Sequence, residues 1–232
     1  MMSDFAGTYH TDPSAVEIPF SHLLTDTQNQ LLSDNMNIVR YRKKDVIFRQ
    51  NTRTTHVMFI KTGLVKVFKE ARNNKTVILK VETPGRFVGL MSVFGESVHQ
   101  YSASAIEDSE ICDIDISVFK NILMENGRYT LQFINLLSID GLFIFERLMG
   151  QSHKQLPGRI AEVILYFSRD IFKSDSFSFP FTRRELADLA GTTKESFIRT
   201  LTEFKNDKII DIEGSRIRIK SMDIIRTLSE LG

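Results

Sequence analysis

The side chains with the most suggestive chemistry lie in one stretch, TRRELADLAGTTKESFIRTLTEFK, which runs from Thr182 to Lys205. Glu195 and Arg199 are four residues apart, so on a helix they share one face, and Lys194 lies beside them in the first turn. An arginine can donate two hydrogen bonds to guanine, a glutamate accepts one from cytosine, and a lysine offers its charge to guanine or phosphate. Together these residues have the chemistry to recognise G·C pairs from the major groove of DNA.

Two short helices separated by a glycine are predicted to hold these side chains. Thr182 with Glu185 three residues later is a capping box, Gly191 allows a tight turn, and Thr193 is a second N-cap. The apolar residues at helical spacing, which we expect to point inward, are Leu186, Ala187, Leu189 and Ala190, followed by Phe197, Ile198, Leu201 and Phe204. The pattern predicts a helix-turn-helix, whose second helix enters the major groove.

A simpler interpretation makes Glu195 and Arg199 a surface ion pair that contributes only roughly a few tenths of a kcal/mol. We favour DNA binding because two caps, a glycine turn and a following hairpin occur together. From Thr182 to the end there are ten Lys and Arg against nine Asp and Glu, so binding would depend on a few placed contacts. The candidate DNA-binding residues are Thr182, Arg183, Thr192, Thr193, Lys194, Glu195, Ile198 and Arg199, of which Arg183, Thr192 and Thr193 are candidates for phosphates.

The whole chain has 232 residues, 42% apolar and 25% charged, with a formal net charge of +1, which is typical of a globular protein with a full core. It contains no apolar run long enough for a membrane span and no signal-peptide pattern at its start, so we expect a cytoplasmic protein without a membrane partner. Cys112 is the single cysteine, which argues against an iron-sulfur cluster or another cysteine-ligated metal. Catalytic motifs are also lacking, so an enzyme is not expected.

Short apolar and β-branched runs separated by turn residues extend from Asp45 to Asp115. They predict an antiparallel sandwich or barrel, with a hairpin turn at Asn73-Asn74. Within it, Cys112 is expected to be a buried packing residue.

A long helix is predicted over 127–151, where GRYTLQFINLLSIDGLFIFERLMGQ contains no proline. Apolar or small residues recur at steps of three and four, which is typical of a coiled-coil seam. The predicted dimer seam consists of Ile134, Leu137, Gly141, Ile144 and Leu148. The alternative is a central helix in the core of a monomer.

The last part of the chain predicts a winged helix. RIAEVILYFSRDIF is an amphipathic helix, the helix-turn-helix follows, and IIDIEGSRIRIK predicts a two-stranded hairpin that turns at Glu213-Gly214. The predicted domains are a sensor domain over 1–126, a dimerisation helix over 127–153 and a DNA-binding domain over 154–232.

The order of these parts resembles the cyclic-AMP receptor protein and FNR family of bacterial transcription regulators, over about residues 20 to 225. The likeness is most specific in TRRELADLAGTTKESFIRTL; GRIAEVIL, FIKTGLVKVF, TPGRFVG and YSASA also resemble segments of that family. The resemblance implies an α+β fold: an N-terminal antiparallel β-roll of the cyclic-nucleotide-binding jelly-roll type, a long dimerisation helix and a C-terminal winged helix-turn-helix. It also implies that Glu195 and Arg199 read a TGTGA-like half-site, with Lys194 where the family often has Arg.

The sensor part departs from the cyclic-nucleotide binders of the family at both of their ligand-binding positions. Gly89 is followed by Leu90 and not by the Glu that holds a ribose, and Tyr101 stands before Ser102 where an Arg would pair with the cyclic phosphate. Ile144 and Phe145 stand near where the cyclic-AMP receptor places polar residues against adenine. The predicted effector pocket is Gly89, Leu90, Tyr101, Ser102, Ala103, Ile144 and Phe145.

We therefore expect no binding of cyclic AMP at micromolar concentration. The pocket could instead hold an apolar ligand, a haem or no ligand, and His22, His56 and His99 are the histidines considered as haem ligands.

The sequence thus predicts a homodimeric transcription regulator that binds a palindromic double-stranded operator, with RNA polymerase as a further partner and an unidentified small-molecule effector. The alternative is a cyclic-nucleotide-type or haem-binding sensor module whose winged helix binds another protein.

Overall fold

The computed structural model describes residues 18–70 and 76–232, apart from the side chain of Leu231. Its N-terminal half is a roll of two four-stranded antiparallel sheets, in the strand orders β1-β8-β3-β6 and β2-β7-β4-β5. The strands are β1 Met36–Tyr41, β2 Val46–Phe48, β3 His56–Thr62, β4 Val65–Glu70, β5 Thr76–Glu82, β6 Phe87–Val88, β7 Ser102–Ala105 and β8 Ser109–Asp115. The expected β-roll is confirmed. Strands β4 and β5 pair as a hairpin, and the turn predicted at Asn73-Asn74 lies outside the described residues.

Helices cover one side of this roll. They are α1 Asp26–Asp34, α2 Leu90–Phe94, α3 Ile116–Glu125 and α4 Gly127–His153. Aromatic rings from the sheet, from α3 and from α4 meet edge to face: Phe119 and Phe133 have ring centroids 4.9 Å apart, and Phe87 and Phe133 lie 5.1 Å apart. This aromatic cluster fixes the start of α4 against the roll, because such pairs add specific geometry to the burial of apolar area.

The long helix was predicted over 127–151, and it extends over 127–153. One face packs on its own chain: Tyr129 and Phe133 are fully buried, and Phe143 lies 5.9 Å from the ring of Tyr166. The opposite face is exposed and apolar. Eight of the sixteen large hydrophobic residues exposed in the described part of the chain are on α4: Leu131, Ile134, Ile139, Leu142, Ile144, Phe145, Leu148 and Met149.

The C-terminal half contains α5 Leu156–Leu165, a π-helical segment Tyr166–Ile171, β9 Ser176–Ser178, α6 Arg183–Leu189, α7 Lys194–Asn206, β10 Ile210–Glu213, β11 Arg216–Ile219 and α8 Met222–Leu231. Strand β11 pairs with β10 and also with β9, and the turn between β10 and β11 includes Gly214 at a φ of 57°. The predicted winged helix is therefore confirmed. The amphipathic helix predicted over RIAEVILYFSRDIF forms as α5 followed by the π-helical segment. Strand β9 and α8 were not predicted.

The two halves share a hydrophobic cluster, in which Leu64, Ile78 and Val81 of the roll join the core of the winged helix. Polar contacts reinforce it. The hydroxyl of Tyr166 donates to the carbonyl of Val81 at 2.9 Å and accepts from the amide of the same residue at 2.8 Å. The strands of the roll and the winged helix are thus directly connected within one chain.

Candidate nucleic-acid interface

The helix-turn-helix forms as its capping residues predict. Thr182 Oγ1 accepts from the Glu185 amide, and the Glu185 carboxylate accepts from the Thr182 amide at 3.0 Å, which completes the capping box of α6. Gly191 has a φ of 63°, a left-handed conformation that glycine adopts without strain. Thr193 caps α7 by accepting from the Ser196 amide at 3.2 Å. These contacts fix the angle at which α7 leaves the turn.

One face of α7 packs inward and the other faces solvent. Phe197, Leu201 and Phe204 are buried as predicted, together with Thr200. The inward orientation predicted for Ile198 is wrong, because that side chain is 40% exposed. It lies one turn of helix from Thr202, on the same outward face as Glu195 and Arg199. The face that the sequence assigned to DNA is therefore the solvent-exposed face.

Arg199 and Glu195 do not form the surface ion pair of the simpler interpretation. Among the described residues, Arg199 has only Glu203 as an ionic neighbour, at 4.0 Å, and its side chain is 72% exposed. Lys194 and Glu195 are exposed and have no charged partner within ion-pair distance in the described chain. Glu195 and Arg199 thus retain free hydrogen-bonding groups on the solvent-exposed face of α7.

Arg183 is more constrained than the sequence indicated. Its Nη2 donates to the carbonyl of Gly214 in the wing, its guanidinium lies 6.0 Å from the ring centroid of Phe179, and burial lowers its pKa. Arg183 therefore joins α6 to the wing, and its role as a phosphate contact stays a prediction. Thr182 and Thr193 use their hydroxyls as caps, while Thr192 is half-buried in the turn.

Sequence reasoning missed two cations of the wing. Arg216 and Arg218 alternate with the buried Ile217 and Ile219, so both point to solvent, and neither has an ion-pair partner in the described chain. The signal was available in the alternation of RIRI, since successive strand residues point to opposite sides.

The residues predicted to form the effector pocket do not meet in one place within the chain. Tyr101, Ser102 and Ala103 are in or beside β7, and the Tyr101 hydroxyl is close to the amide of Gly89. Burial, together with the charges of Glu82 and Asp140, raises the pKa of Tyr101 well above its ordinary value.

The remaining predicted pocket residues lie elsewhere. Leu90 packs into the aromatic cluster with Phe87 and Phe119. Ile144 and Phe145 are 48% and 64% exposed, because the turn of α4 places them away from the face that contacts the roll. A pocket that includes these two residues would need a second chain.

The histidines also differ in their surroundings. His99 is buried with its ring stacked on Phe48 at a centroid distance of 3.8 Å, and burial lowers its pKa. His56 is bound to the hydroxyl of Thr55 at 2.9 Å, and His22 is exposed. Cys112 is buried as expected, and burial raises the pKa of its thiol to about 11. Within 18–70 and 76–232 there is no group of three His, Cys, Asp or Glu arranged to hold a metal ion.

Comparison with known protein families assigns both halves. Residues 38–126 match the cyclic nucleotide-binding domain, and residues 158–228 match the Crp-like helix-turn-helix domain. The chain belongs to the cyclic-AMP receptor protein and FNR family. This family consists of transcription regulators and not of enzymes, and its DNA-binding element is the helix-turn-helix described above.

Individual relatives of this regulator are distant in sequence but cover most of its length. It is 24% identical over 182 residues to the transcriptional activator protein Anr of Pseudomonas protegens, covering 77% of this chain and 74% of Anr. It is also 24% identical to the probable transcriptional regulator flp of Lacticaseibacillus casei, covering 80% and 84% of the two chains.

A solved structure shares the fold. FixK2 from Bradyrhizobium japonicum superposes with a TM-score of 0.77 at 20% identity, covering 83% of this chain and 96% of that one. The three-part fold predicted from the sequence is confirmed.

The exposed face of α4 differs in detail from the predicted dimer seam. Leu137 packs partly against the aromatic cluster of its own chain, because it lies between the inward and outward faces of the helix. The residues at alternating steps of three and four along the centre of the exposed face are Leu131, Ile134, Ser138, Gly141, Phe145 and Leu148. A Cβ added at Gly141 would meet no atom of residues 18–70 or 76–232 within 4 Å, so another helix could approach closely there. No helix in the described part of the regulator is long and apolar enough to cross a membrane.

Proposed function

We propose that this regulator binds DNA as a homodimer and reads a palindromic operator with one α7 in each of two successive major grooves. The observation that carries the proposal is the outward face of α7, where Glu195 and Arg199 are exposed and unpaired with each other. In such a dimer the two recognition helices would be about 34 Å apart, which is one turn of B-DNA. Glu195 and Arg199 would contact G·C pairs, and Lys194 would add a charge near guanine or phosphate.

The apolar face of α4 supports the dimer. Leu131, Phe145 and Leu148 are each more than 60% exposed in the single chain, and the heptad positions between them are filled by uncharged residues. Contiguous apolar surface of this kind is rare on a monomer and is typical of a subunit interface. We propose a parallel pairing of two α4 helices, which places both winged helices on the same side. The three domains are then 1–126, 127–153 and 154–232.

We propose that the sensor half does not respond to cyclic AMP. The carboxylate and guanidinium that hold the nucleotide in the cyclic-nucleotide binders of the family are replaced by Leu90 and Tyr101. Burying the phosphate of cyclic AMP without a charged partner would cost roughly several kcal/mol of binding free energy. Calorimetric titration of the full-length protein with cyclic AMP should show no binding at micromolar concentration. A micromolar dissociation constant would refute this part of the proposal. An apolar ligand, a haem or no ligand remain the alternatives for the roll itself.

The DNA-binding proposal is tested by gel shift with genomic fragments against random DNA at stated salt, since affinity for DNA depends strongly on ionic strength. We expect selective retardation of a few fragments. Equal retardation of all fragments, or none, would favour a module whose winged helix binds another protein. We also propose that the regulator acts on operator DNA in the cytoplasm and that RNA polymerase is its further partner.

A further inference from the structure

A cavity of about 480 Å³ lies at the junction between the two halves. Strand β5 of the sensor, the middle of α4, and the helices α5 and α6 of the DNA-binding half contribute to its wall. The lining has as many acidic as basic residues, and the basic ones are Lys80, Arg86, Arg147, Arg159 and Arg169. Apolar contact is provided by Ile139, Phe143 and Leu165. Its volume and its position between domains are typical of small-molecule sites.

The interior of the roll offers less room than the family resemblance implies. Phe48 stacks on His99, and its ring centroid is 5.9 Å from that of Tyr101. A Cβ at Gly89 would approach within 3.1 Å of the His99 ring. The side chains of the protein therefore occupy the region around Gly89, whereas the cavity at the junction is open.

Most charges of the cavity wall are already matched. Lys80 is ion-paired with Glu82 and, at 2.9 Å, with Asp140. Glu162 is paired at 3.3 Å with Lys154, which lies outside the lining.

The charges at the other end of the wall are also accounted for. Arg86 and Arg169 both lie close enough to Asp170 to offset part of the rise that burial causes in the pKa of that carboxyl. Glu146 is exposed. Two arginines remain, Arg147 and Arg159.

These two arginines have no carboxylate within ion-pair distance among the described residues. Arg147 donates to the carbonyls of Leu79 and Leu189 at 2.6 and 2.7 Å, and Arg159 donates to the carbonyls of Ala190 and Lys154 at 3.0 and 2.9 Å. Carbonyl oxygens satisfy N–H donors but do not neutralise the positive charge. The charge of Glu162 opposes the fall that burial causes in the pKa of Arg147, but Glu162 lies beyond ion-pair distance of it. A guanidinium has five N–H donors, so each residue retains donors for a further acceptor. Arg159 Nη2, in particular, has no acceptor in the described chain.

We propose that the cavity binds a small organic anion, with its carboxylate or phosphate group held by Arg159 and Arg147 and its body against Phe143 and Ile139. Guanidinium groups recognise both kinds of anion with paired hydrogen bonds. Arg147 already bridges β5 of the sensor half to the end of α6. An anion bound to Arg147 would therefore act on the contact that joins the sensor half to the DNA-binding half. That regulatory role rests on the proposed function, whereas binding itself does not.

The test is calorimetric titration of the full-length protein in the absence of DNA, with two probes in separate arms. Inorganic pyrophosphate represents phosphates, and octanoate represents carboxylates with an apolar body. We expect a saturable isotherm for at least one probe, and at least a tenfold loss of affinity in Arg159→Gln. Arg40→Gln is the matched control, because that arginine is exposed on β1 and pairs with Glu110. It should bind as the wild type does.

Two further variants locate the bound probe. The chain contains no tryptophan, so Ile139→Trp provides a single emission signal at the edge of the cavity, and we expect that signal to change on titration. Arg199→Ala should leave probe binding unchanged, since its side chain is on the DNA-facing surface. The proposal is overturned if neither probe gives a saturable isotherm, if Arg159→Gln binds like the wild type, or if Arg199→Ala abolishes binding. If neither probe binds, the conclusion drawn from the gel shift is unaffected. If the gel shift shows no DNA binding, the conclusion drawn from the calorimetric titration is unaffected.

Discussion

Replacement of Arg199 by alanine should remove sequence-specific affinity for DNA without unfolding the protein. Its side chain is 72% exposed, and its nearest ionic partner, Glu203, is 4.0 Å away. An exposed pair of this kind contributes only about 0.3 to 0.5 kcal/mol to stability, so the melting temperature should fall by about 1 or 2 °C at most. A bidentate contact between arginine and guanine contributes about 1 to 3 kcal/mol of discrimination. Specific affinity should therefore fall by about 5- to 150-fold for each half-site.

The assay is a fluorescence-anisotropy titration of labelled duplexes at fixed salt, with the selected operator, operators changed at single G·C pairs, and random DNA. Arg199→Ala should lose affinity for the operator, become indifferent to one G·C pair in each half-site, and retain its affinity for random DNA. Arg226→Ala is the matched control, because it removes an arginine paired with Asp223 at 3.8 Å on α8, outside α7 and the wing. It should bind like the wild type.

Loss of a phosphate contact should affect DNA binding differently from loss of a base contact. Arg216→Ala should weaken operator and random DNA alike and reduce the slope of log affinity against log salt by about 2, as expected when each subunit of the dimer loses one phosphate contact. If Arg199→Ala and Arg216→Ala cause equal losses on operator and on random DNA, the assignment of Arg199 to base recognition is refuted.

Three other perturbations test the connections that support this site. Phe145→Glu should convert the protein to monomers in sedimentation velocity, because it places a charge in the exposed apolar face of α4. Tyr166→Phe removes the hydroxyl that bonds a backbone amide and carbonyl of β5 and should lower the free energy of unfolding by about 1 to 3 kcal/mol in denaturant titrations. Tyr129→Phe removes a buried hydroxyl that has no partner among the described residues and should leave the free energy of unfolding unchanged. Glu185→Gln should destabilise the protein at neutral pH and matter progressively less in acid, because the carboxylate is ion-paired with Lys66 at 2.7 Å.

The pH effect follows from the direction of the shift. Burial tends to raise the pKa of Glu185, but hydrogen bonds from Lys66 and Thr182 and the charge of Lys66 outweigh it, so the pKa lies below its ordinary value of 4.5. The stabilisation is therefore complete above the pKa of the unfolded chain and is lost as pH falls through the lower pKa of the folded state. A difference in the free energy of unfolding between Glu185→Gln and wild type that stayed constant from neutral pH to pH of about 3 would contradict this account.

Ile224→Glu, on the exposed face of α8, is the control for Phe145→Glu and should not change the sedimentation coefficient.

The sequence was most informative where local signals determine the structure. Thr182, Glu185, Gly191 and Thr193 define the helix-turn-helix because capping and left-handed turns depend on neighbouring residues only. Strand alternation likewise predicted the hairpin that turns at Glu213-Gly214. The helix over 127–153 was found because it has no proline and an uninterrupted apolar period.

Other features depended on tertiary contacts that no local pattern specifies. In KSDSFSFPF, the residues Phe177, Phe179 and Phe181 are surrounded by polar or turn-forming neighbours, yet all three are buried in the core of the winged helix. Leu137 was predicted to lie in the dimer seam, but it packs partly against its own chain. Apolar residues surround most of α4, and the sequence alone does not indicate which face of the helix the roll covers. The bond between Arg183 and the wing and the cavity around Arg147 arise from residues distant in sequence.

The most direct test of the central claim is selection of bound duplexes from a random pool, followed by sequencing. A pair of exposed α7 helices in a symmetric dimer predicts enrichment of an inverted repeat, with G·C pairs in each half-site and centres about one helical turn apart. Recovery of unenriched sequences, or of single half-sites without an inverted partner, would contradict it.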